Sequence, residues 1–261
     1  MSTTEFIIAL CIRVDDQMRD VPKHRQAALY PSELVTLALL YALKGGGTRA
    51  FYRWIVRDYR PLFPHLPERT RLFRLFTAHL DWTDRFLADP TLFGVADSYG
   101  IEFIHPWREG RTARQLGKKG KSNQRWIVGG KLALVLNRTG LVAGWGCATA
   151  NVYDQVFHPL IAAFTEEMIV LTDQGFHARA GDPANLKVCQ KGGWNERMRV
   201  ETVLSMLTIV CRFKQMRHRL WACFEAHLAY AMALFNILVQ WHGLEPDQHG
   251  DIHLSIAEFS L

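Results

Sequence analysis

Three acidic residues stand in settings from which a metal site for phosphate chemistry can be built. Asp97 closes the apolar run 93–96, and Asp173 closes a second apolar run, 168–172. Glu201 lies in a segment whose apolar residues recur with helical spacing. Two metal ions about 3.5–4 Å apart bind the attacking and leaving oxygens of a phosphodiester, and Mg²⁺ and Mn²⁺ prefer carboxylate oxygens as ligands. The three acids therefore indicate phosphoryl transfer with two divalent ions.

Each acid taken alone also has a structural interpretation. An aspartate at a strand end is more often a turn or helix cap, and a glutamate between arginines commonly forms an exposed ion pair worth under ~1 kcal/mol. Glu196, Glu102 and Asp154 compete for the third position. Glu196 ranks second because it lies at a predicted helix start, where the helix dipole favours an acid. The order of the acids among the predicted strands favours the catalytic interpretation.

The strands that must position the aspartates are predicted from continuous or alternating apolar runs. The segments are 93–98, 126–136, 141–150, 168–172 and 186–190. The second and third form a hairpin, and a helix over 154–164 leads into the fourth, whose continuous apolar character is typical of a parallel strand. If the first and fourth strands are neighbours, Asp97 and Asp173 meet at one edge of the sheet.

Helices are predicted on both sides of this sheet in the sequence. Residues 1–90 read as four short helices, with Ser32 and Thr48 as N-caps of two of them. A helix begins near Asn195, and Glu201 lies at the border of its apolar stripe, so its side chain can point past the sheet edge. The last helix covers 221–239. The tail from His242 is polar, and we expect it to be loosely held.

The third acid lies in a motif with a familiar spacing. The order is Trp194, two residues, Arg197, three residues, Glu201, and Thr208 follows seven positions later. This resembles the DDE transposases of bacterial insertion sequences, many of which carry tyrosine, arginine, glutamate and lysine at these four places. Tryptophan replaces the tyrosine here, and Thr208 replaces the lysine. The apolar runs before the two aspartates also match, and the resemblance spans roughly residues 30–240.

The resemblance implies a fold, a reaction and a set of partners. The expected fold is an α/β, RNase H-like mixed sheet flanked by helices (91–243), preceded by an N-terminal helical bundle (1–90) and followed by a polar tail (244–261). Two Mg²⁺ or Mn²⁺ ions would bind Asp97, Asp173 and Glu201. The protein would cut double-stranded DNA at the element's ends, and the freed 3′-OH would attack target DNA. A homodimer on DNA is expected from the resemblance.

Two other classes of function remain open at this point. One keeps the fold but not transposition: an RNase H-like nuclease, or a catalytically degenerate relic that only binds DNA. The other is a metal enzyme acting on small phosphorylated molecules. The basic insert described next argues against the small-molecule enzyme.

Basic residues are concentrated between the first two predicted strands. The insert 107–125 holds seven of them and a single acid, Glu109; the seven are Arg108, Arg111, Arg114, Lys118, Lys119, Lys121 and Arg125. We expect a flexible cationic loop that holds the DNA backbone beside Asp97. A solvated loop is the alternative. Arg197 is a further candidate for DNA contact.

Two further groups of arginines lie on the N-terminal helices. Arg49, Arg53 and Arg57 recur every four residues after the glycine triplet 45–47, and three more crowd the segment 69–74. A helix–turn–helix contact with DNA and a solvated helix face are about equally compatible with this spacing.

Composition supports a soluble, cytoplasmic protein with a polyanionic partner. The 261 residues are 49% hydrophobic, and the formal net charge is +6. Five cysteines without close pairs argue against a disulfide framework and favour a reducing compartment. No signal peptide and no uninterrupted apolar run of about 20 residues is apparent, so no membrane contact is expected. The cysteines and histidines of the region 211–253 do not match zinc-finger spacing, and no zinc is expected.

Overall fold

The computed structural model describes residues 1–122, 125–189, 197–213, 216, 218–244, 254, 256 and 259, with the side chains of 197–199 excepted. The fold is mixed α/β, as predicted. Four α-helices come first along the chain: α1 (Thr3–Gln17), α2 (Pro31–Lys44), α3 (Thr48–Asp58) and α4 (Arg69–Ala78). A 3-10 segment, Leu80–Phe86, leads from them to the sheet.

The N-caps of α2 and α3 differ from the sequence prediction. Ser32 lies inside α2 and is 5% exposed; the amide of Tyr30 instead donates to the Glu33 carboxylate at 2.7 Å. The helix begins at Pro31, which has no amide to cap, and therefore two residues earlier than a cap at Ser32 predicts. Gly47, and not Thr48, precedes the first turn of α3.

The sheet has six strands among the described residues. They are β1 (Phe93–Ile104), β2 (Lys118–Ser122), β3 (Arg125–Asn137), β4 (Val142–Thr149), β5 (Ile169–Thr172) and β6 (Leu186–Val188). Central β1 pairs antiparallel with β3 and parallel with β5, and β5 pairs parallel with β6. The far side of β3 carries β2 along its first part and β4 along its second. The predicted hairpin and the predicted neighbours β1 and β5 are both confirmed.

Two details of the strand prediction are wrong. Strand β1 continues six residues past Ser98, so Asp97 lies within the strand and not at its end. The basic insert is also not one long loop, because Lys118–Ser122 forms β2 and pairs with the start of β3. A lysine-rich segment was interpreted as a loop from composition, but an antiparallel edge strand leaves its charged side chains in solvent.

Three more helices complete the fold. They are α5 (His158–Ala162), α6 (Arg197–Val210) and α7 (Trp221–His242). Helix α7 is buried on nearly all sides. Through two polar side chains it forms hydrogen bonds with the N-terminal helical region and with β4 of the sheet. Tyr230 Oη donates to carbonyl oxygens of Phe76 and His79, and Asn236 bonds Phe86 and both backbone groups of Val142.

One large hydrophobic core spans the N-terminal helices, one face of β1 and β3, α6 and α7. A smaller core lies on the other face of the sheet under α5. By length and composition alone α7 could cross a membrane, yet 83% of its most apolar stretch is buried inside the protein. That burial is typical of a core helix.

The expectation of a loosely held tail is wrong for the described tail residues. Ile256 is 0% exposed and Phe259 is 9% exposed. The Phe259 ring packs 5.2 Å from Trp241 and 6.0 Å from Phe6, which itself stacks on Trp241. The two ends of the chain therefore share one aromatic cluster. The predicted domain boundaries stay a prediction.

Candidate functional site

The two candidate aspartates lie on neighbouring strands. The parallel register pairs Gly94 with Val170 and Val95 with Leu171. Continued by two residues, it sets Asp97 level with Asp173, which directly follows β5. Adjacent strands lie about 4.8 Å apart, and alternation turns Asp97 to the same face as Val95. The sequence prediction that these two acids meet at the sheet is consistent with this register.

Asp97 is 9% exposed, and its Oδ1 accepts the amide of Ser98 at 2.7 Å. Asp173 begins a tight turn in which its Oδ1 accepts the Gly175 amide at 2.9 Å. Both carboxylates are therefore oriented by the backbone next to them. Carboxylate oxygens are also the ligands that hard divalent cations prefer.

The turn after Asp173 is held in place by a second segment, which comprises the 3-10 turn Asp154–Phe157 and the first residue of α5. Gln155 Nε2 donates to the His177 carbonyl, and His158 Nε2 bonds the Phe176 carbonyl, each at 2.6 Å. Asp182 holds the far side of the turn through the Ala178 amide and the His177 ring. These two hydrogen bonds, the amide first, lower the pKa of Asp182. The turn carrying Asp173 is thus held at four points.

A partly buried polar cluster links this segment to the central strands. Asp154 Oδ1 accepts the Ser98 hydroxyl at 2.5 Å and the Lys131 ammonium at 2.9 Å. Asp154 Oδ2 and Asp173 Oδ1 both lie within 3.0 Å of the point where a Cβ on Gly175 would stand. The two oxygens are therefore less than about 6 Å apart. A larger residue at position 175 would have to displace one of these carboxylates.

The sequence analysis predicts no role for Asp154 except as a competitor of Glu201 for the position of the third acid. Its partner Lys131 stands in the otherwise apolar run 126–136 and is 9% exposed. A lysine inside a buried strand requires a carboxylate partner, because burying an unpaired charge is costly. That single lysine is the signal by which the cluster could have been found.

Glu201, the predicted third acid, lies in the first half of α6 and is exposed. The buried residues of α6, among them Val200, Val203 and Leu204, share the core with Val95 and Ile101 of β1. Helix α6 therefore packs on the face of β1 to which Asp97 belongs. The backbone of Arg197 is the first turn of α6, while its side chain, Trp194 and Glu196 lie outside the described residues.

As these side chains stand, no three carboxylates, histidines or cysteines in the described part of the chain converge closely enough to hold a metal ion. The donor chemistry nevertheless fits a hard divalent cation, because Asp97 and Asp173 are oxygen ligands on adjacent strands. Glu201 would have to reach them by a change of side-chain rotamer.

Three of the seven basic residues of the insert, Arg108, Arg114 and Arg125, line an open groove of about 960 Å³ at the far end of β1, together with Arg219. Arg111, Lys118, Lys119 and Lys121 do not line it, and among the described residues Glu102 is the one acid that does. All seven predicted basic residues of the insert are exposed. Two are partly neutralised: Lys119 lies 3.2 Å from Glu109, and Arg125 lies 3.5 Å from Glu102. Arg219, which sequence reasoning missed, joins the groove from the segment before α7.

The groove and Asp97 lie along the same strand, β1. Alternate residues Tyr99, Ile101 and Phe103 follow Asp97 on one face of β1, and all three line the groove. Tyr99 is two residues from Asp97, about 7 Å along the strand. Trp107 beside the groove is 84% exposed, and Trp126 is 58% exposed. A polyanion lying in this groove would lead to the aspartates.

No protein-family model matches this chain, and no curated protein sequence matches it either.

Proposed function

We propose that the protein is a DDE-type DNA transposase, which cuts insertion-sequence ends and transfers the freed strand. The observation that carries the proposal is the parallel register of β1 and β5, which sets Asp97 level with Asp173. The strand order also supports an RNase H-like core: antiparallel strands lie on one side of β1 and two parallel strands on the other.

The proposed roles follow from position. Asp97 and Asp173 hold two divalent ions, and Glu201 completes the site from α6. When bound, such a pair of ions activates water and stabilises the leaving oxygen. The segment 154–158 keeps the Asp173 turn in place through Gln155 and His158. The arginines of the groove neutralise the phosphates of double-stranded DNA and set its register.

Asp97→Asn tests the central assignment. The amide is nearly isosteric but a far weaker cation ligand, so we expect Mg²⁺-dependent cleavage to fall at least about 10³-fold. DNA affinity in EDTA should stay within about 2-fold, because the groove is untouched. The measurement is strand cleavage of a double-stranded substrate, with Mn²⁺ binding followed by electron paramagnetic resonance. Asp15→Asn, an exposed aspartate of α1, is the matched control.

The third acid is tested by a pair of variants. Glu201→Gln should abolish cleavage, whereas Glu196→Gln should retain it. The reverse result would transfer the role to Glu196 and leave the aspartates in place. Full cleavage by Asp97→Asn would contradict the transposase proposal as a whole.

The alternative is an RNase H-like nuclease or a DNA-binding relic, and it is favoured by the absence of a converged triad among the described acids. DNA binding without cleavage in Mg²⁺ or Mn²⁺ would point to the relic. Cleavage without joining of the freed 3′-OH to a second duplex would point to the nuclease. Action on DNA as a homodimer in the cytoplasm belongs to the transposase proposal.

A further inference from the structure

A second cavity, of about 590 Å³, lies between the N-terminal helices and the start of α7. Its volume is within the range of small-molecule sites. Aromatic side chains form its inner wall, among them Tyr41, Phe73 and Tyr230. No acidic side chain lines it in the described part of the chain. It is distinct from the candidate metal site, since neither Asp97 nor Asp173 contributes.

One rim of the cavity is the N-terminus of α3. The glycine triplet 45–47 and Thr48 line it. Gly47 stands at the cap position and has no side-chain oxygen, so the first amides of this 11-residue helix have no side-chain cap. The first turn has no acid. Uncapped amides and the positive end of the helix dipole together favour an anion, and phosphate above all.

A histidine deeper in the cavity has unmet hydrogen-bonding capacity. His227 is 6% exposed, and neither ring nitrogen has a hydrogen-bond partner among the described residues. Its only ring neighbours in that part of the chain are Tyr41 and His218, both edge-on. Leaving such a group unsatisfied costs about 1–3 kcal/mol. A neutral imidazole offers one donor and one acceptor, which suits the edge of a polar heterocycle.

Two arginines stand at the opening. Arg212 has φ of 52°, and it is the one non-glycine residue in the described chain with positive φ. Its side chain lies over Gly45. Strain of this kind clusters at ligand sites. Arg219 lines both this cavity and the basic groove, as do His218 and Met216. The cavity therefore adjoins the surface proposed to hold DNA.

We propose that this cavity binds a nucleoside monophosphate unit, with the phosphate at the N-terminus of α3 beside Arg212 and Arg219 and the heterocycle against His227. The unit can come from a free nucleotide or from a nucleic-acid strand lying in the groove, because the two share this chemistry. The site needs no metal and no cleavage activity.

The test is calorimetric titration of the full chain in EDTA with each nucleoside monophosphate, with inorganic phosphate, and with a 5′-phosphorylated single-stranded hexanucleotide. Arg212→Gly keeps the backbone conformation and removes the guanidinium, so affinity for the bound probe should fall about 10-fold or more. Arg219→Gln should act in the same direction. His227→Leu should weaken the nucleotide by a similar factor but leave inorganic phosphate unaffected.

Arg53→Gln is the matched control, an exposed arginine of α3 that does not line the cavity, and it should bind like the wild type. Binding of mononucleotides alone identifies a free nucleotide, and binding of the hexanucleotide alone identifies a strand. The proposal is overturned if neither saturates at about millimolar concentration, if only inorganic phosphate binds, or if both arginine variants bind normally. Should His227→Leu fail to fold, the exposed arginines decide. Loss of cleavage in Asp97→Asn bears on none of these outcomes.

Discussion

Single polar side chains at buried or partly buried positions determine much of this structure. Asp154 joins Ser98 of β1, Lys131 of β3 and the turn that carries Asp173, although these groups are far apart along the chain. His227 presents the opposite case, since it is buried without a partner in the described part of the chain. At neutral pH the hydrogen bonds and the ion pair of Asp154 stabilise the folded state. The buried imidazole of His227 makes the folded state less stable in acid.

The stability of the protein should fall as the pH drops below about 6.5. Burial lowers the pKa of His227 to about 3 and that of His218 to about 4, from 6.5 in the unfolded chain. Between these values the unfolded state binds protons that the folded state does not, so acid favours unfolding. At pH 5 the loss from His227 is about 2 kcal/mol.

Urea denaturation at pH 7 and pH 5, without added ligands, measures this difference. His227→Leu should reduce the pH dependence, whereas His65→Gln, an exposed histidine, should leave it unchanged. An unaltered pH dependence in His227→Leu would show that this imidazole does not titrate as its burial requires.

At the scale of elements, close approaches of the strands depend on particular glycines. A Cβ on Gly129 would overlap the carbonyl oxygen of Ile101 across the β1–β3 pair. This contact lies beside the bulge at Glu102–Ile104, where the two strands reach the basic groove. The start of β3 can therefore approach β1 only with glycine at this position.

Gly129→Ala should lower the free energy of unfolding by more than about 2 kcal/mol, because backbone atoms must move apart. Gly146→Ala on β4 is the matched control, since its nearest neighbour would be the Phe157 ring at an ordinary 3.5 Å. Chemical denaturation of both variants makes the comparison. Equal stabilities would mean that the strands separate at little cost.

The sequence predicts most of the elements and the neighbouring of β1 and β5, because apolar runs and turn residues are local signals. It misses β2, whose lysines and glycines carry no strand pattern; β2 forms because β3 offers a free edge. It also misses the Lys131–Asp154 pair and Arg219, since contacts between distant segments are set by packing. Helical periodicity predicts only that Glu201 lies at the border of the apolar stripe of α6. It does not predict the direction in which the side chain of Glu201 points.

At the scale of the whole molecule, the net charge is +6, and among the described residues the basic groove is lined by four arginines and one acid. Duplex DNA held there should bind through several phosphates, so its affinity should fall steeply as salt rises. The dependence reflects release of counterions and requires no base recognition.

This salt dependence is tested by measuring DNA affinity by fluorescence anisotropy between about 50 and about 300 mM salt, a range in which counterion release is measurable. Arg114→Gln should reduce the slope of log affinity against log salt by about 1. Arg19→Gln, at an exposed arginine in the turn after α1 and outside the groove, should leave the slope unchanged. A slope that Arg114→Gln does not alter would remove the groove from the binding surface.

Helix α7 has a further consequence for how the chain acquires its structure during synthesis. It follows, along the chain, every strand and helix on which it packs. Its Tyr230 and Asn236 donate hydrogen bonds to backbone carbonyl oxygens of the N-terminal region and of β4. Until α7 has emerged from the ribosome, the earlier helices and the sheet lack the helix on which both of them pack. Nascent chains stopped before residue 221 should therefore expose apolar surface, engage chaperones and aggregate when released, and folding should be completed only after α7 has emerged.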